Sequence, residues 1–241
     1  VQLVIKLPRG QIMAVLKVEG IEKKFGELVA LNGVSFEVCN RECLGIMGPN
    51  GAGKTTLFNV ISGFIKPDRG DIRFRGESIV GKKPSKLVKM GLVRTFQLIK
   101  VFKQMTVEEN IVAAGGGMDE LERVGLEKKK DITASGLSQG ELRRLSVALA
   151  LATKPKMLML DEPFSGLSTA ESRELENIIK SLKDDGIPLV VIEHKLKELF
   201  NVVDRLIVLN YGQVIFEGRP EDAVRDKAVV EAYLGGNGFE G

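Results

Sequence analysis

The 241-residue chain is 44% apolar and 28% charged, ordinary for a globular protein and enough for one full core, with a formal net charge of +3. No apolar run approaches the roughly 18 residues of a bilayer-spanning helix, so the chain is not expected to cross a membrane. The charge is too weak, and too evenly spread, to point to nucleic acid, and Lys128 to Lys130 reads as a solvated helix end.

Residues 1–12 have neither the long apolar stretch nor the small-residue cleavage site of a secretory signal. They read as an extension ahead of a natural start at Met13, and no function is assigned to them. Val15 to Val18 and Val34 to Val38 are expected strands of an antiparallel layer, with Asn32-Gly33 as a turn. Cys39 and Cys43 flank an expected hairpin turn at Asn40-Arg41, and the single histidine, His194, lies far along the sequence. That is a poor zinc site, so the two cysteines read as free thiols of a reducing cytosol.

Cys43 to Met47 then forms a short buried strand that runs into GPNGAGKTT, residues 48–56, and the apolar positions Leu57, Val60 and Ile61 follow at helical spacing. Strand, Gly-rich turn and helix is the setting that the pattern G-x-x-x-x-G-K-[ST] requires, against the alternative of a chance glycine turn. The glycines let successive N–H groups point inward at an anion, and the helix N-terminus adds its positive end. Asn50, Gly51, Ala52, Gly53, Lys54, Thr55 and Thr56 are therefore the candidate nucleotide-binding residues. Lys54 is expected to reach the β- and γ-phosphates and the Thr55 hydroxyl to hold Mg²⁺.

Asp71 to Gly76 alternates as a half-exposed strand, Pro84 to Met90 is a short helix stopped by Gly91, and Leu92 to Arg94 is a further core strand. Thr106-Val107-Glu108-Glu109 and Ser138-Gln139-Gly140-Glu141 are two capping boxes that open helices, with a brief helix at Asp119 to Val124 between them. Residues 98 to about 152 are expected to form a small helical subdomain inserted into a core made of residues 13–97 and 153–241.

Met157 to Leu160 is a continuous apolar run, hence a central parallel strand, and it ends in Asp161-Glu162. Carboxylates at the carboxyl end of such a strand sit where α/β sheets place their chemistry. Asp161 can hold Mg²⁺ through water and Glu162 can polarise the water that attacks a γ-phosphate; the alternative is a plain helix N-cap. A helix carrying Leu175, Ile178, Ile179 and Leu182 leads to the strand Leu189 to Ile192, after which His194 emerges at the same rim. Arg205 to Leu209 and Gln213 to Phe216 complete the pattern as a hairpin through Tyr211-Gly212. The expected fold class is α/β: a P-loop, RecA-like core with a mainly parallel sheet, an antiparallel β layer and the helical insertion.

In this order GPNGAGKTT, LSQGE, LMLDEP and IEHK resemble the Walker A, signature, Walker B and switch-histidine motifs of ABC-transporter ATPase subunits. The likeness runs from about Leu16 to Leu234. The segments VRTFQ ending at Gln97, LVALNGVSF at residues 28–36, FNVISGF after the P-loop and VVEAYLG near the end are most similar to the branched-chain amino-acid uptake ATPases. The resemblance implies ATP and Mg²⁺ as ligands and Gln97 as a residue that senses both metal and attacking water. It makes Phe25 a stacking surface for adenine. It also makes Ser138 and Gly140 contacts to the γ-phosphate of a nucleotide held by a second ATPase subunit, so that two subunits close head to tail. Integral membrane permease subunits would be further partners, with the protein peripheral on the cytoplasmic face of the membrane.

Three features depart from the family pattern. The first signature glycine is Gln139 and the last residue is Glu141; Ser168 stands where many relatives carry Asp; and the stretch from Gln97 to Ser138 is short. The function that the resemblance implies is an ATP-hydrolysing subunit that powers an import system for branched-chain or other amino acids. The alternatives are an ATPase of the same type without transport, which would usually carry a second ATPase domain or a coiled-coil insertion, and a nucleotide-gated binding module with little turnover.

Overall fold

Alternating apolar and polar residues build two long strands at the start of the computed structural model, which describes residues 14–96, 100–194 and 196–234. Gln97 and the N-terminal extension lie outside them. β1 (Ala14–Phe25) and β2 (Leu28–Cys39) pair antiparallel through a turn at Gly26-Glu27. Asn32-Gly33 is therefore not the turn expected from the sequence. Ile21 pairs with Val34 and Lys23 with Leu31, so the dipeptide is the extra pair of residues opposite Glu22, with Gly33 at φ 76°. Glycine tolerates the left-handed conformation that such a bulge needs, and the same property makes Asn-Gly look like a hairpin turn.

The turn at Asn40-Arg41 forms, but it does not close a hairpin: it leads into a second sheet through β3 (Cys43–Met47), which is buried throughout. The P-loop follows, then α1 (Lys54–Ile61) with Leu57, Phe58, Val60 and Ile61 buried. β4 (Arg69–Phe74) and the short β5 (Glu77–Ser78) return to the first sheet, whose order is β2-β1-β4-β5. α2 (Pro84–Met90) begins on proline and stops at Gly91, and β6 (Leu92–Arg94) enters the second sheet.

α3 (Val107–Ala113), α4 (Met118–Arg123) and α5 (Gln139–Ala152) follow. Thr106 and Ser138 cap α3 and α5 with both reciprocal bonds of the capping box in place. β7 (Met157–Asp161) is buried at every residue, α6 (Thr169–Asp184) is capped by Ser168, and β8 (Leu189–Ile192) is again wholly buried. The last elements are α7 (Leu196–Phe200), the hairpin β9 (Arg205–Asn210) and β10 (Gln213–Gly218), α8 (Pro220–Ala223) and α9 (Lys227–Leu234).

The second sheet has the order β10-β9-β3-β8-β7-β6, parallel except for the β9–β10 hairpin. Strands buried on both faces are what parallel packing requires, which is why β3, β7 and β8 read as unbroken apolar runs. One core lies between this sheet and the antiparallel layer, around Leu16, Phe36, Ile46, Phe58 and Val190. The other lies on the opposite face and takes in α5 and α6 through Leu145, Leu151, Leu175 and Ile179. Each fully buried Leu or Ile in these layers contributes roughly 1.5–3 kcal/mol. Among the described residues no helix is long and apolar enough to cross a membrane.

Candidate nucleotide and metal site

Sheet register brings the chemically distinctive residues to one edge. Ile192 of β8 pairs with Ile46 of β3 on one side and with Asp161 of β7 on the other. The Glu162 amide donates to Ile192 O at 2.9 Å and the Glu193 amide to Ile46 O at 3.3 Å. The P-loop, the Asp161-Glu162 pair and His194 therefore leave neighbouring strands at the same height.

The P-loop itself is shaped by close backbone contacts. A side chain at Gly53, which has φ 102°, would place its Cβ 2.5 Å from Ala30 O of β2, and one at Gly48 would meet Leu209 O at 2.2 Å. The Gly212 amide of the β9–β10 turn donates to Ala52 O at 3.0 Å. Asn50 and Gly51 lie at the tip, Ala52 is buried, and Gly53 caps α1 without a side-chain bond, so the first amides of that helix remain available. Lys54 curls back over the loop and donates to Gly48 O at 2.5 Å and Pro49 O at 3.0 Å. Burial lowers its pKa and the nearby Glu162 charge opposes that shift. Thr55 and Thr56 occupy the first turn of α1. Tyr233 of α9 reaches the Gly48 backbone, and burial pushes its hydroxyl up to about 12.

At the end of β7, Asp161 is bound by Arg94, whose Nη2 lies 2.6 Å from Oδ2. Glu162 holds φ 46°, a left-handed backbone that a residue with a Cβ adopts at a cost of about 1–3 kcal/mol. His194 is half exposed, with Nδ1 3.9 Å from Glu162 Oε1 and 3.7 Å from Glu193 Oε2. Glu193 is fully buried; its Oε1 accepts the Phe164 amide at 2.8 Å and its Oε2 the His194 amide at 3.0 Å. It thereby ties the segment after β7 to the segment after β8. Arg143 of α5 is buried and donates to Phe96 O at 3.4 Å. Burial lowers its pKa while Glu193, Glu162 and Asp161 raise it, so it is a cation facing the carboxylates.

The start of α5 lies against the start of α6. Glu171 accepts from Ser138 Oγ and the Gly140 amide, and a Cβ on Gly140 would lie 2.6 Å from the Glu171 side chain. Glycine is thus needed at 140, whereas Gln139 is exposed with its Cγ 3.9 Å from the position of a Gly166 Cβ, which explains why bulk is accommodated there. Phe25 is an exposed ring at the end of β1, with Lys23 Nζ 5.5 Å from its centroid, and its partner strand β2 backs the P-loop at Ala30. Neither Cys39 nor Cys43 is in a disulfide, and burial pushes the Cys43 thiol up.

The structure brings Asn50 to Thr56, Asp161, Glu162 and His194 to one edge; it leaves Ser138 and Gly140 together at a separate helix end. Arg94, Arg143, Glu193, Glu171 and Tyr233 were not among the expected residues. Glu171 had a signal in the S-x-x-E spacing from Ser168, while Arg94 and Tyr233 lie inside the segments VRTFQ and VVEAYLG without being singled out there. Among the described residues no cluster of three or more His, Cys, Asp or Glu could hold a metal ion alone. One hydroxyl and one carboxylate are hard oxygen donors that suit Mg²⁺, an ion that keeps several waters and takes phosphate oxygens as ligands. The residues fit that metal in company with a nucleotide.

The family model described as ABC transporter matches residues 31–165, and one described as branched-chain amino acid ATP-binding cassette transporter matches residues 213–238. The high-affinity branched-chain amino acid transport ATP-binding protein LivG of Salmonella typhimurium is 37% identical over 248 residues, covering 91% of this chain and 97% of that protein. A solved structure of the ADP conformation of MJ1267, an ATP-binding cassette of an ABC transporter, superposes with a TM-score of 0.87 at 36% identity, over 92% of this chain and 99% of that one. A dimeric post-hydrolysis structure of the ATP-binding cassette MJ0796, bound to ADP and Pi, gives a TM-score of 0.73 at 25% identity, over 85% of this chain and 98% of that one.

Proposed function

The chain belongs to the ABC transporter family and is one of its ATP-hydrolysing cassettes, and on that premise we propose that it powers an import system for branched-chain or similar amino acids. The observation that carries the amino-acid assignment is the match of residues 213–238 to the model of the branched-chain amino acid cassettes. That segment includes Tyr233, which touches the P-loop, so the match extends to a part of the protein in contact with the site.

In the proposed mechanism the P-loop amides and Lys54 bind the phosphates, and Phe25 stacks on the adenine ring. Thr55 and Asp161 would hold Mg²⁺, which when bound spreads the charge of the transferring phosphoryl group. Glu162, next to Asp161, orients a water and takes its proton. His194, which has Glu193 fixing its backbone, faces the same rim and steadies the γ-phosphate. Gln97 is assigned by its motif to sense metal and water. Ser138 and Gly140 would contact nucleotide held mainly by a second cassette, identical or homologous, so the closed state is a head-to-tail dimer. Permease subunits would then place the assembly on the cytoplasmic face of the membrane.

The test is transport. A strain lacking this protein is expected to lose high-affinity uptake of radiolabelled leucine, isoleucine and valine while uptake of an unrelated solute continues. The protein should also co-purify with a membrane subunit. Undiminished uptake of all three amino acids would reject the assigned solute class and leave the ATPase assignment in place.

A further inference from the structure

We propose that Arg94 is a positioning residue of the metal half of the site: it holds Asp161 by one oxygen and neutralises it, so that a divalent cation enters together with nucleotide and not alone. The inference rests on the reading of Asp161 as the metal-facing carboxylate.

Arg94 and Asp161 form a buried ion pair, with side chains 7% and 9% exposed. Arg94 Nη1 also donates to Asn59 Oδ1 at 2.8 Å and to Ser62 Oγ at 3.0 Å. Asn59 lies in α1, the helix that begins with Lys54 and Thr55, and Ser62 is its C-cap. The guanidinium lies over the Phe58 and Phe96 rings, at 5.4 and 5.3 Å from their centroids. One cation therefore joins the carboxylate of β7, the helix of the P-loop and the residue that precedes Gln97.

Stability alone is a weak reason to bury a charged pair here. A buried ion pair is weak evidence for stability, since well-packed apolar residues commonly do as well, and among the described residues Arg94 Nε has no hydrogen-bond partner. Among the described residues Arg94 is the one side chain that bonds Asp161. An unpaired buried carboxylate at this rim would attract any divalent ion. Paired, the two side chains sum to zero charge, and a bare Mg²⁺ gains little from replacing its waters. A nucleotide triphosphate supplies the missing negative charge, and the carboxylate, pinned at Oδ2, is already oriented.

The experiment titrates a fluorescent ATP analogue into the whole protein, with Mg²⁺ and with EDTA, and titrates Mn²⁺ into the nucleotide-free protein by EPR. Arg94→Met is expected to raise the ratio of affinities with and without Mg²⁺ by about tenfold and to tighten nucleotide-free Mn²⁺ binding by a similar factor, because a unit charge near Asp161 has gone. Arg94→Lys, which keeps the charge but loses the planar fork that also reaches Asn59 and Ser62, should fall between the wild type and Arg94→Met. A purely structural role would lower the melting temperature of Arg94→Met without moving either ratio, and that result would overturn the proposal. Should Arg94→Met fail to fold, Asp161→Asn supplies the reciprocal case: Arg94 is left as an unpaired cation, and ATP in EDTA should bind more tightly than to the wild type. No gain there would equally overturn it. If the wild type itself shows no Mg²⁺ dependence, the metal reading of Asp161 fails, a result distinct from a normal wild type with an unresponsive Arg94→Met.

Discussion

Glu171 places one carboxylate oxygen 3.1 Å from Ser138 Oγ and 3.0 Å from the Gly140 amide, while the other accepts the Ser168 amide at 3.0 Å and Ser168 Oγ at 2.8 Å. Two helix N-termini, those of α5 and α6, thus converge on a single anion, the charge that such ends favour. The place proposed for the γ-phosphate of a facing nucleotide is held in this structure by the protein's own carboxylate.

These donors, the Ser168 amide foremost, hold Glu171 down to about 2 against an ordinary 4.5. A carboxylate whose folded pKa is depressed contributes stability above its unfolded pKa and loses it as pH falls through the folded one. Glu171→Gln is therefore expected to lower the urea midpoint at pH 7, and the gap to the wild type should narrow as pH drops from about 4.5 toward 2. Urea titrations across that range provide the measurement. A gap that stays constant with pH would show that Glu171 acts by shape and not by charge.

Local signals in the sequence were legible where one element decides its own structure. The capping boxes at Thr106 and Ser138 form with both bonds, and the apolar runs at Met157 and Leu189 became buried parallel strands. The P-loop and the Asp161-Glu162 pair could be read because their neighbours in sequence build them. Asn32-Gly33 misled because left-handed glycine serves a bulge as well as a turn, and only the pairing partner, Glu22, distinguishes the two. Arg94 was beyond reach for a different reason: its partner is 67 positions away, and β6 reads as the same strand with any long polar residue at its end. Glu193 looked like a polar neighbour of His194, yet two distant amides make it a fully buried anchor.

Lys54→Ala is expected to weaken binding of Mg·ATP by about 10- to 100-fold, the equivalent of one charge-assisted hydrogen bond. Its ammonium already points into the P-loop, bonded to Gly48 O and Pro49 O, so binding needs only an exchange of acceptors. Isothermal titration of the whole protein measures this. Unchanged affinity in a folded variant would reject the P-loop as the phosphate site.

Phe25 offers an exposed face at the end of β1, and an aromatic pair is worth about 0.5–1.5 kcal/mol beyond its area. Phe25→Ala should weaken ATP by roughly tenfold while leaving inorganic triphosphate unaffected, since only the base would lose its partner. Competition titrations with the two ligands separate them. Equal weakening of both would mean that the ring supports the hairpin and does not stack on a base.

Glu162 combines a left-handed backbone, φ 46°, with a position between Asp161 and the rim that carries His194. Its side chain lies near enough to Lys54 and Arg143 for its charge to oppose the lowering of both their pKa values. Glu162→Gln keeps the backbone, the reach and the hydrogen-bonding capacity but removes the charge that favours taking a proton from water. Hydrolysis should fall by about 10²- to 10⁴-fold, the usual worth of a general base, with ATP affinity changed little. The His194 Nδ1 separation of 3.9 Å from Glu162 is too long for a hydrogen bond, so any loss in His194→Ala would come from its own contact to the γ-phosphate and not from releasing Glu162. Slow hydrolysis should also trap the proposed dimer, and Ser138→Arg added to Glu162→Gln should return it to monomer by blocking the start of α5. Phosphate release and light scattering at saturating ATP decide between the outcomes. Retained hydrolysis sinks the catalytic role, whereas lost hydrolysis without dimerisation identifies the natural partner as a different cassette.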